Sequence, residues 1–172
     1  MPLYLQDGYI IKSLTIEDIQ ITEALCIKCS DYYILHYGLL PSIEKIKEIF
    51  TELPPNKSYE DKFVLGVFKD NNELIGIIDI VRNFPDIGEW MIGLMLIAPE
   101  ERGNGLGKKI HKAVALWAIK LGAKFFRIGV IADNYKGINF WHGLGYIKIK
   151  EVSMDLENKT HIVNVMTLQV SE

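Results

Sequence analysis

Three glycines at alternating positions could do chemistry in this chain. Gly103, Gly105 and Gly107 stand between a predicted strand and a predicted helix. Backbone N–H groups with no side chains around them, together with the positive end of a helix dipole, can surround an anionic phosphate. The segment 102–108 therefore predicts a phosphate-binding loop, with a plain glycine-rich turn as the alternative.

Two well-known phosphate-binding loops have a different glycine spacing. A dinucleotide-binding fingerprint needs a third glycine three positions after the second, and that position holds Lys108. A P-loop needs a glycine five residues before Gly107, and that position holds Arg102. The spacing excludes both classes.

Two carboxylates stand in predicted strands. Glu89 opens the strand that leads into the glycine loop, and Asp79 lies inside the apolar run 77–81. A carboxylate beside a cavity can accept a proton from an amine or hold an ammonium group. Glu89 also fits a strand-end carboxylate facing solvent, and Asp79 also fits an ion pair with a basic side chain such as Arg82.

The cysteines and histidines predict no metal site. Cys26 and Cys29 have C-x-x-C spacing, but a zinc site needs two more ligands and a redox pair normally opens a helix after a strand. These two fall late in a helical pattern, so we interpret them as packed helix residues. His111 and His142 match neither metal-ligand nor triad spacing, and we interpret them as surface or packing residues.

Hydrophobic periodicity predicts the elements that position these residues. It predicts two N-terminal helices, which the aromatic segment 30–37 joins. The first starts from a capping pattern at 15–18, and the second covers 42–53. Strands are predicted at 8–14, 63–68, 74–81, 89–97, 125–131, 146–154 and 161–169, and further helices at 106–121 and 134–142. The order β-α-α-β-β-β-α-β-α-β-β indicates a mixed sheet with helices on its faces and one parallel crossover around 90–131.

Composition bounds the class of protein. The chain has 172 residues, 49% hydrophobic and 24% charged, which predicts a single domain over 1–172. A net charge of -3 and the absence of a Lys/Arg block argue against a nucleic-acid partner. No apolar run approaches the ~18 residues of a membrane helix and the N-terminus lacks a leader pattern, so we expect a cytoplasmic protein without membrane association. The oligomeric state stays open, with a homodimer among the alternatives.

Two segments resemble the GNAT superfamily of acetyl-CoA-dependent N-acetyltransferases. Arg102-x-x-Gly105-x-Gly107, preceded by LIAPEE at 96–101, is similar to that family's Gln/Arg-x-x-Gly-x-Gly/Ala loop. NYKGINFWHGLGY at 134–146 is similar to its Asn-x-x-Ala-x-x-Phe-Tyr-x-x-x-Gly-Phe helix. The resemblance covers roughly 62–150. It implies an α/β three-layer fold, in which helices cover both faces of a mixed, mostly antiparallel twisted sheet of about seven strands.

The resemblance also implies acetyl-CoA as the co-substrate and assigns residues to it. Backbone amides would hold the pyrophosphate at Arg102, Gly103, Asn104, Gly105, Leu106, Gly107 and Lys108. Asn134 would bind the pantetheine amide region, with Lys136, Asn139 and Phe140 near the coenzyme arm or adenosine. Helix capping by Asn134 and core packing of Phe140 are the alternatives.

Further roles implied by the resemblance concern the reacting groups. A backbone amide at Met95, Leu96 or Ile97 would polarise the thioester carbonyl, on a strand that diverges from its neighbour to admit the pantetheine. Glu89 would be the general base, because some family members carry a glutamate base thirteen residues before the loop's first residue, which is Arg102 here.

The acceptor side is predicted from the segment 30–37, which commonly shapes the acceptor pocket in this superfamily. Tyr32 and Tyr33 in that segment, together with Asp79, are the predicted acceptor-binding residues. An aromatic loop that merely packs on the sheet is the alternative.

One position departs from the family pattern. Many members carry a tyrosine where this chain has Trp141, and an indole N–H cannot protonate a departing thiolate usefully. The predicted activity is transfer of an acetyl group from acetyl-CoA to a primary amine of a small molecule or peptide. The second hypothesis, motivated by Trp141, is a catalytically weak or inactive acyl-CoA-binding module.

Overall fold

The computed structural model of the chain describes residues 2–171. Its strands are β1 (Leu3–Tyr4), β2 (Ile10–Ser13), β3 (Lys62–Phe68), β4 (Leu74–Val81), β5 (Glu89–Ile97), β6 (Phe125–Ile131), β7 (Ile147–Leu156) and β8 (Lys159–Gln169). Its helices are α1 (Ile19–Lys28), α2 (Ser30–Tyr37), α3 (Ile43–Thr51), α4 (Leu106–Lys120) and α5 (Tyr135–Gly143).

All eight strands form one sheet in the order β1-β2-β3-β4-β5-β6-β8-β7. Neighbouring strands are antiparallel except β5 and β6, which α4 connects as the predicted parallel crossover. The mixed, mostly antiparallel α/β architecture is confirmed. The eighth strand is β1, whose two residues are too short to show an alternating pattern.

Helices cover both faces of the sheet. Lys62 and Phe63 are consecutive in β3 and therefore point to opposite faces. The Phe63 ring packs edge-on against Trp117 of α4, with ring centroids 5.0 Å apart. Lys62 reaches Asp79 on the other face, where α2 and α3 line a small cavity. This is the predicted three-layer arrangement.

Segment 30–37 forms helix α2, although its sequence predicted only a connection. The rings of Tyr32 and His36 stack at 3.8 Å, one helical turn apart. The helix ends at Gly38, whose left-handed φ of +71° lets its N–H return to a carbonyl of the last turn. Lys159 of β8 donates to the same Ile34 carbonyl and to the Leu35 carbonyl, both at 3.2 Å. Periodicity missed this helix because amphipathic Tyr and His side chains occupy several of its faces.

The two cysteines are buried and free. Burial raises the pKa of the Cys26 thiol to about 11, and the Tyr33 hydroxyl donates to its sulfur at 3.3 Å. Over residues 2–171, no group of three or more His, Cys, Asp and Glu side chains is arranged to hold a metal ion. No helix in the same residues has the length and apolarity to cross a membrane.

A buried histidine–tyrosine pair joins α4 to the start of β7. His111 Nε2 lies 2.8 Å from the Tyr146 hydroxyl, and both side chains are buried. Burial lowers the pKa of His111 to about 4, because a charged imidazole would lose its hydration there. The ordinary histidine pKa of about 6.5 applies once the chain unfolds.

The His111 pair predicts a loss of stability in acid. Between about pH 6.5 and 4, His111 is protonated in the unfolded chain but stays neutral in the folded chain. The free energy of unfolding therefore falls as the pH falls through this window. Urea unfolding measures the free energy of unfolding at pH 7.5 and at pH 4.5. The decrease between these two pH values is expected to be about 2 to 3 kcal/mol larger in the wild type than in His111→Gln. His142→Gln, at an exposed site, should behave like the wild type. Equal losses in wild type and His111→Gln would contradict the assignment.

Candidate functional site

The strands β5 and β6 diverge and open a wedge in the sheet. They pair only over 89–91 and 125–127. Beyond that point, residues 92–97 of β5 and 128–130 of β6 line a cavity of about 770 Å³. Among residues 2–171, no strand pairs with the β6-facing edge of β5 along the wedge, so an extended chain with amide groups can pair with it as an added strand does. The divergence implied by the resemblance is present.

A bulge in β5 lies within the wedge. Asp79 pairs with Leu94 while Ile80 pairs with Ile92, which leaves Gly93 as the extra residue. A Cβ at position 93 would stand 3.7 Å from Asp79 Oδ2, so the glycine keeps the space beside that carboxylate open. Gly93 is absent from the predicted site residues, although a glycine inside an apolar strand is a signal for a bulge.

The glycine loop presents unpaired backbone donors at the N-terminus of α4. Within residues 2–171, five backbone N–H groups of this loop have no protein acceptor; they belong to Gly103, Asn104, Gly105, Gly107 and Lys108. Gly103 and Gly105 have φ of +81° and +85°, a left-handed backbone that glycine adopts without strain. The loop therefore offers a concave set of donors at the positive end of a 15-residue helix, which favours an anion.

The third glycine of the loop allows close packing on α5. A Cβ at Gly107 would stand 3.0 and 3.1 Å from atoms of the Phe140 ring and 3.3 Å from Ile97 Cδ1. Only a residue without a side chain fits between these neighbours unless they move. Phe140 thus packs against the start of α4, as the core-packing alternative proposed, and it also lines the cavity.

Most of the predicted coenzyme residues lie at this cavity. The ones that line it are Leu96, Ile97, Arg102, Gly103, Gly105, Gly107, Lys108, Asn134, Lys136 and Phe140. Asn134 Oδ1 also accepts from the Gly137 N–H at 2.9 Å, so it caps α5 as the alternative proposed. Trp141 lines the cavity as well.

Three predicted coenzyme residues do not line the cavity. Asn104 Oδ1 accepts from the Leu106 N–H at 3.1 Å, which removes that amide from the set of free donors. The Leu106 side chain is buried in the core. Asn139 lies on the exposed part of α5, outside the cavity lining. Asn139 directly precedes Phe140, so its side chain points about 100° round α5 from the ring that lines the cavity.

Helix α2 borders the cavity across from the strands. Arg102 donates to both carboxylate oxygens of Asp31, at 2.6 and 3.3 Å, and its Nε donates to the Ile97 carbonyl at 2.7 Å. These hydrogen bonds lower the pKa of the Asp31 carboxyl. Asp31, Tyr32 and His36 all line the cavity. Asp31 and His36 are missing from the sequence prediction, because segment 30–37 was not recognised as a helix.

A second, smaller cavity of about 90 Å³ adjoins the first. It shares Tyr32, Gly93 and Leu94 with the large cavity. Its other lining residues are Tyr33, Tyr37, Lys45, Glu48, Ile49, Glu52 and Asp79, so three carboxylates face one lysine, which pairs with Glu48 at 2.9 Å. The three predicted acceptor residues, Tyr32, Tyr33 and Asp79, therefore come together here. The surplus of carboxylates suits a cationic group.

Asp79 forms an ion pair that was predicted with the wrong partner. Lys62 Nζ lies 2.8 Å from both carboxylate oxygens, and the Lys62 side chain is only 3% exposed. Burial raises the pKa of the Asp79 carboxyl and the Lys62 ammonium opposes this. Arg82 pairs with Asp61 instead, at 3.0 Å. Arg82 directly follows β4, three residues after Asp79, and an odd spacing along an extended chain places side chains on opposite faces.

Glu89 lies outside both cavities. Its carboxylate accepts from Arg127 Nε at 2.7 Å, and both side chains are largely buried. Glu89 stands on the part of β5 that still pairs with β6, before the strands diverge. The structure does not bring this predicted base to the other site residues, because spacing in the sequence does not reveal where the wedge begins.

Sequence comparison identifies the family. The profile described as Acetyltransferase (GNAT) family matches residues 31–146, more than half of the chain. The chain therefore belongs to the acetyltransferase (GNAT) family.

Two curated relatives match only in part. An uncharacterised N-acetyltransferase of Bacillus subtilis (strain 168), YobR, is 23% identical over 122 residues, which is 70% of this chain and 46% of that protein. The thialysine N-epsilon-acetyltransferase of Mus musculus is 41% identical over 49 residues, 28% of this chain and 29% of that protein. The matches span less than half the length of either relative.

Solved structures share the fold over nearly the whole chain. An acetyltransferase of Salmonella typhimurium that modifies the N-terminal serine of ribosomal protein L7/L12 has a TM-score of 0.81, 12% identity and coverage of 99% and 100% of the two chains. An acetyltransferase of Thermus thermophilus has a TM-score of 0.73, 20% identity and coverage of 98% and 100%. Spermidine N-acetyltransferase of Vibrio cholerae, solved with CoA and spermine, has a TM-score of 0.72, 14% identity and coverage of 95% and 96% of the two chains.

Proposed function

We propose that the chain is an N-acetyltransferase that moves an acetyl group from acetyl-CoA directly to a primary amine of a small molecule or peptide. The observation that carries this proposal is the set of five unpaired amides at the start of α4, placed beside the wedge between β5 and β6. The amides suit a pyrophosphate, and the unpaired edge of β5 suits the amide-containing arm of the same molecule. Family membership supports this assignment.

The residues around the wedge have the roles that acyl transfer requires. Met95, Leu96 and Ile97 of β5 line the cavity, and we assign to a backbone N–H of this segment the polarisation of the thioester carbonyl, which stabilises negative charge on oxygen as the amine attacks. Lys108 and Lys136 line the cavity and add positive charge for the coenzyme phosphates. Trp141 lines the cavity but supplies no proton to the leaving thiolate.

The acceptor is an amine that enters from the side of α2 and α3. There the small cavity adjoins the wedge at Gly93 and Leu94 and carries the carboxylates of Glu48, Glu52 and Asp79. Similar folds act on different amines, among them spermidine and the N-terminal serine of a ribosomal protein. A single domain over 1–172, action in the cytoplasm and the oligomeric state stay predictions.

The alternative function is binding of an acyl-CoA without turnover, which Trp141 at the usual tyrosine position favours. The two functions are separated by measuring thiol release from acetyl-CoA with a panel of small amines and N-terminal peptides, beside calorimetric titration with coenzyme A. Binding with turnover of at least one amine supports the transferase. Binding with no turnover across the panel favours the module, and no binding at all contradicts both.

Substitution of Glu89 tests whether this residue is the general base expected from the sequence or only the ion-pair partner of Arg127. Glu89→Gln is expected to change kcat/KM by less than about threefold, whereas loss of a general base costs about 10² to 10⁴. The same change should lower the free energy of unfolding by about 1 to 2 kcal/mol, since Arg127 loses a charged acceptor. Steady-state kinetics and urea unfolding of the same preparation test both values. A hundredfold loss of kcat with unchanged stability would restore Glu89 as the base.

A further inference from the structure

A histidine of α2 lines the large cavity with one ring nitrogen free. His36 Nδ1 lies 2.8 Å from the Tyr32 carbonyl oxygen. Because a carbonyl only accepts, Nδ1 carries the proton in this contact, and Nε2 of the neutral ring keeps a lone pair. Within residues 2–171, Nε2 has no hydrogen-bond partner. The ring therefore offers the cavity a single unpaired acceptor.

The position of the His36 ring is held by neighbours on two elements. Tyr32 stacks on it within α2, at 3.8 Å between ring centroids. His161 of β8 lies 2.8 Å from the His36 carbonyl oxygen through its Nε2, and Lys159 caps the same helical turn. A catalytic side chain needs this kind of support, because a ring free to rotate would spend little time in the productive orientation.

The surroundings keep the ring uncharged at neutral pH. The titratable groups that face it are Tyr32 and Tyr37 in α2 and Lys159 and His161 in β8. Burial lowers the pKa of His36, the charges of His161 and Lys159 lower it further, and the hydrogen bond to the Tyr32 carbonyl opposes them. A neutral imidazole can take up a proton, which a charged one cannot.

The other titratable side chains of the large cavity lack this capacity. Arg102, Lys108 and Lys136 are cationic donors, and Asp31 is held in a two-point ion pair with Arg102. Burial raises the pKa of Tyr32, which keeps its hydroxyl protonated. Among the residues that line this cavity, His36 is thus the neutral group able to accept a proton.

The location of His36 suits the acceptor rather than the coenzyme phosphates. Asp31 contacts the glycine loop through Arg102, and His36 is five residues further along α2, about 7.5 Å along the helix axis at 1.5 Å per residue. Tyr32, which stacks on His36, lines both the large cavity and the small carboxylate-rich one. His36 is therefore one helical turn from Tyr32, the α2 residue that borders both cavities.

We propose that His36 is the general base of the acyl transfer, an inference that rests on the proposed function. As the amine nitrogen forms its bond to the acetyl carbon, His36 Nε2 takes the proton that the nitrogen releases. As the carbon–sulfur bond breaks, the same proton passes from Nε2 to the departing sulfur, which leaves as a thiol. One residue thus serves both proton transfers, and a tyrosine at position 141 is not required.

The test compares His36→Asn with the wild type and with His142→Asn. The asparagine amide can replace Nδ1 as donor to the Tyr32 carbonyl but cannot act as a base. His36→Asn is expected to lower kcat about 100-fold or more and to change the Kd for coenzyme A by less than about threefold. His142→Asn, at an exposed site on α5, is expected to keep kcat within about twofold.

The pH profile gives a readout that a packing role would not change. With saturating acceptor, kcat of the wild type should fall as the pH drops through the pKa of His36, which lies below the usual value of about 6.5. This decline of kcat at low pH should be absent in His36→Asn. A decline of kcat in acid that stays at the same pH in His36→Asn would overturn the inference, and His36→Gln provides the same comparison where His36→Asn fails to fold.

The outcomes distinguish the inference from the function on which it rests. A folded His36→Asn variant with wild-type kcat removes His36 as the base and leaves the transferase intact. A wild type that binds coenzyme A but turns over no amine overturns the proposed function, and the inference with it. A 100-fold loss in His36→Asn with unchanged coenzyme binding and loss of the decline of kcat at low pH supports both.

Discussion

Gly105→Glu is expected to raise the Kd for coenzyme A by about 100-fold or more. The unpaired amides on either side of Gly105 create a positive potential at the start of α4. A glutamate there would place a negative charge where the pyrophosphate binds and would compete for the same donors. A loss of 100-fold corresponds to about 2.7 kcal/mol, which one repulsive charge in a partly enclosed site can supply. Isothermal titration with coenzyme A measures it.

The chain contains a matched control for this substitution. Gly122 follows α4 at its other end, with φ of +97° against +85° at Gly105, and a Cβ at either position meets no atom within 4 Å. Gly122→Glu therefore introduces the same charge and a similar backbone strain of about 1 kcal/mol at a site remote from the cavity. Its Kd for coenzyme A should match the wild type. Equal affinity in Gly105→Glu and the wild type would show that the loop is only a turn.

Asp79→Asn is expected to lower the free energy of unfolding by about 3 kcal/mol. The Lys62 ammonium is almost fully buried, and both of its contacts to Asp79 are charge-assisted at 2.8 Å. An asparagine removes the compensating charge and leaves a buried ammonium without its counterion. Urea unfolding at pH 7.5 measures the difference.

Two controls separate a structural ion pair from an acceptor site. Glu151→Gln breaks the exposed pair with Lys148 and should cost less than about 0.5 kcal/mol. The double change Lys62→Met with Asp79→Leu should recover much of the lost stability, because it removes both buried charges. If Asp79→Asn leaves stability unchanged and raises KM for the amine, Asp79 binds the acceptor as first predicted from the sequence.

Features that depend on residues close together in the chain were predictable from sequence. The glycine loop, the helix after it and the helix at 134–146 are local patterns, and each lies where it was expected. The parallel crossover followed from the alternation of strand and helix, because such connections have one favoured topology. These local patterns account for most of the coenzyme side of the cavity.

Features that depend on distances across the sheet were not predictable. Glu89 is on the same strand as the cavity, yet the wedge opens only after residue 91. The partner of Asp79 is on β3, seventeen residues earlier, and nearby Arg82 was the more obvious choice from sequence alone. Helix α2 was not predicted because its stability comes from stacked aromatics and from contacts with β8. His36 was therefore not predicted as a site residue.

A crystal structure with coenzyme A bound is the most direct test of the central claim. The expected result is a pyrophosphate hydrogen-bonded to amides between Gly103 and Lys108, with the pantetheine arm extended along β5 past Met95 toward the bulge at Gly93. The thiol end should then lie at the junction with the small cavity, within reach of His36. A coenzyme bound away from the wedge, or crystals that take up none at saturating concentration, would contradict the assignment of this cavity as an acetyl-CoA site.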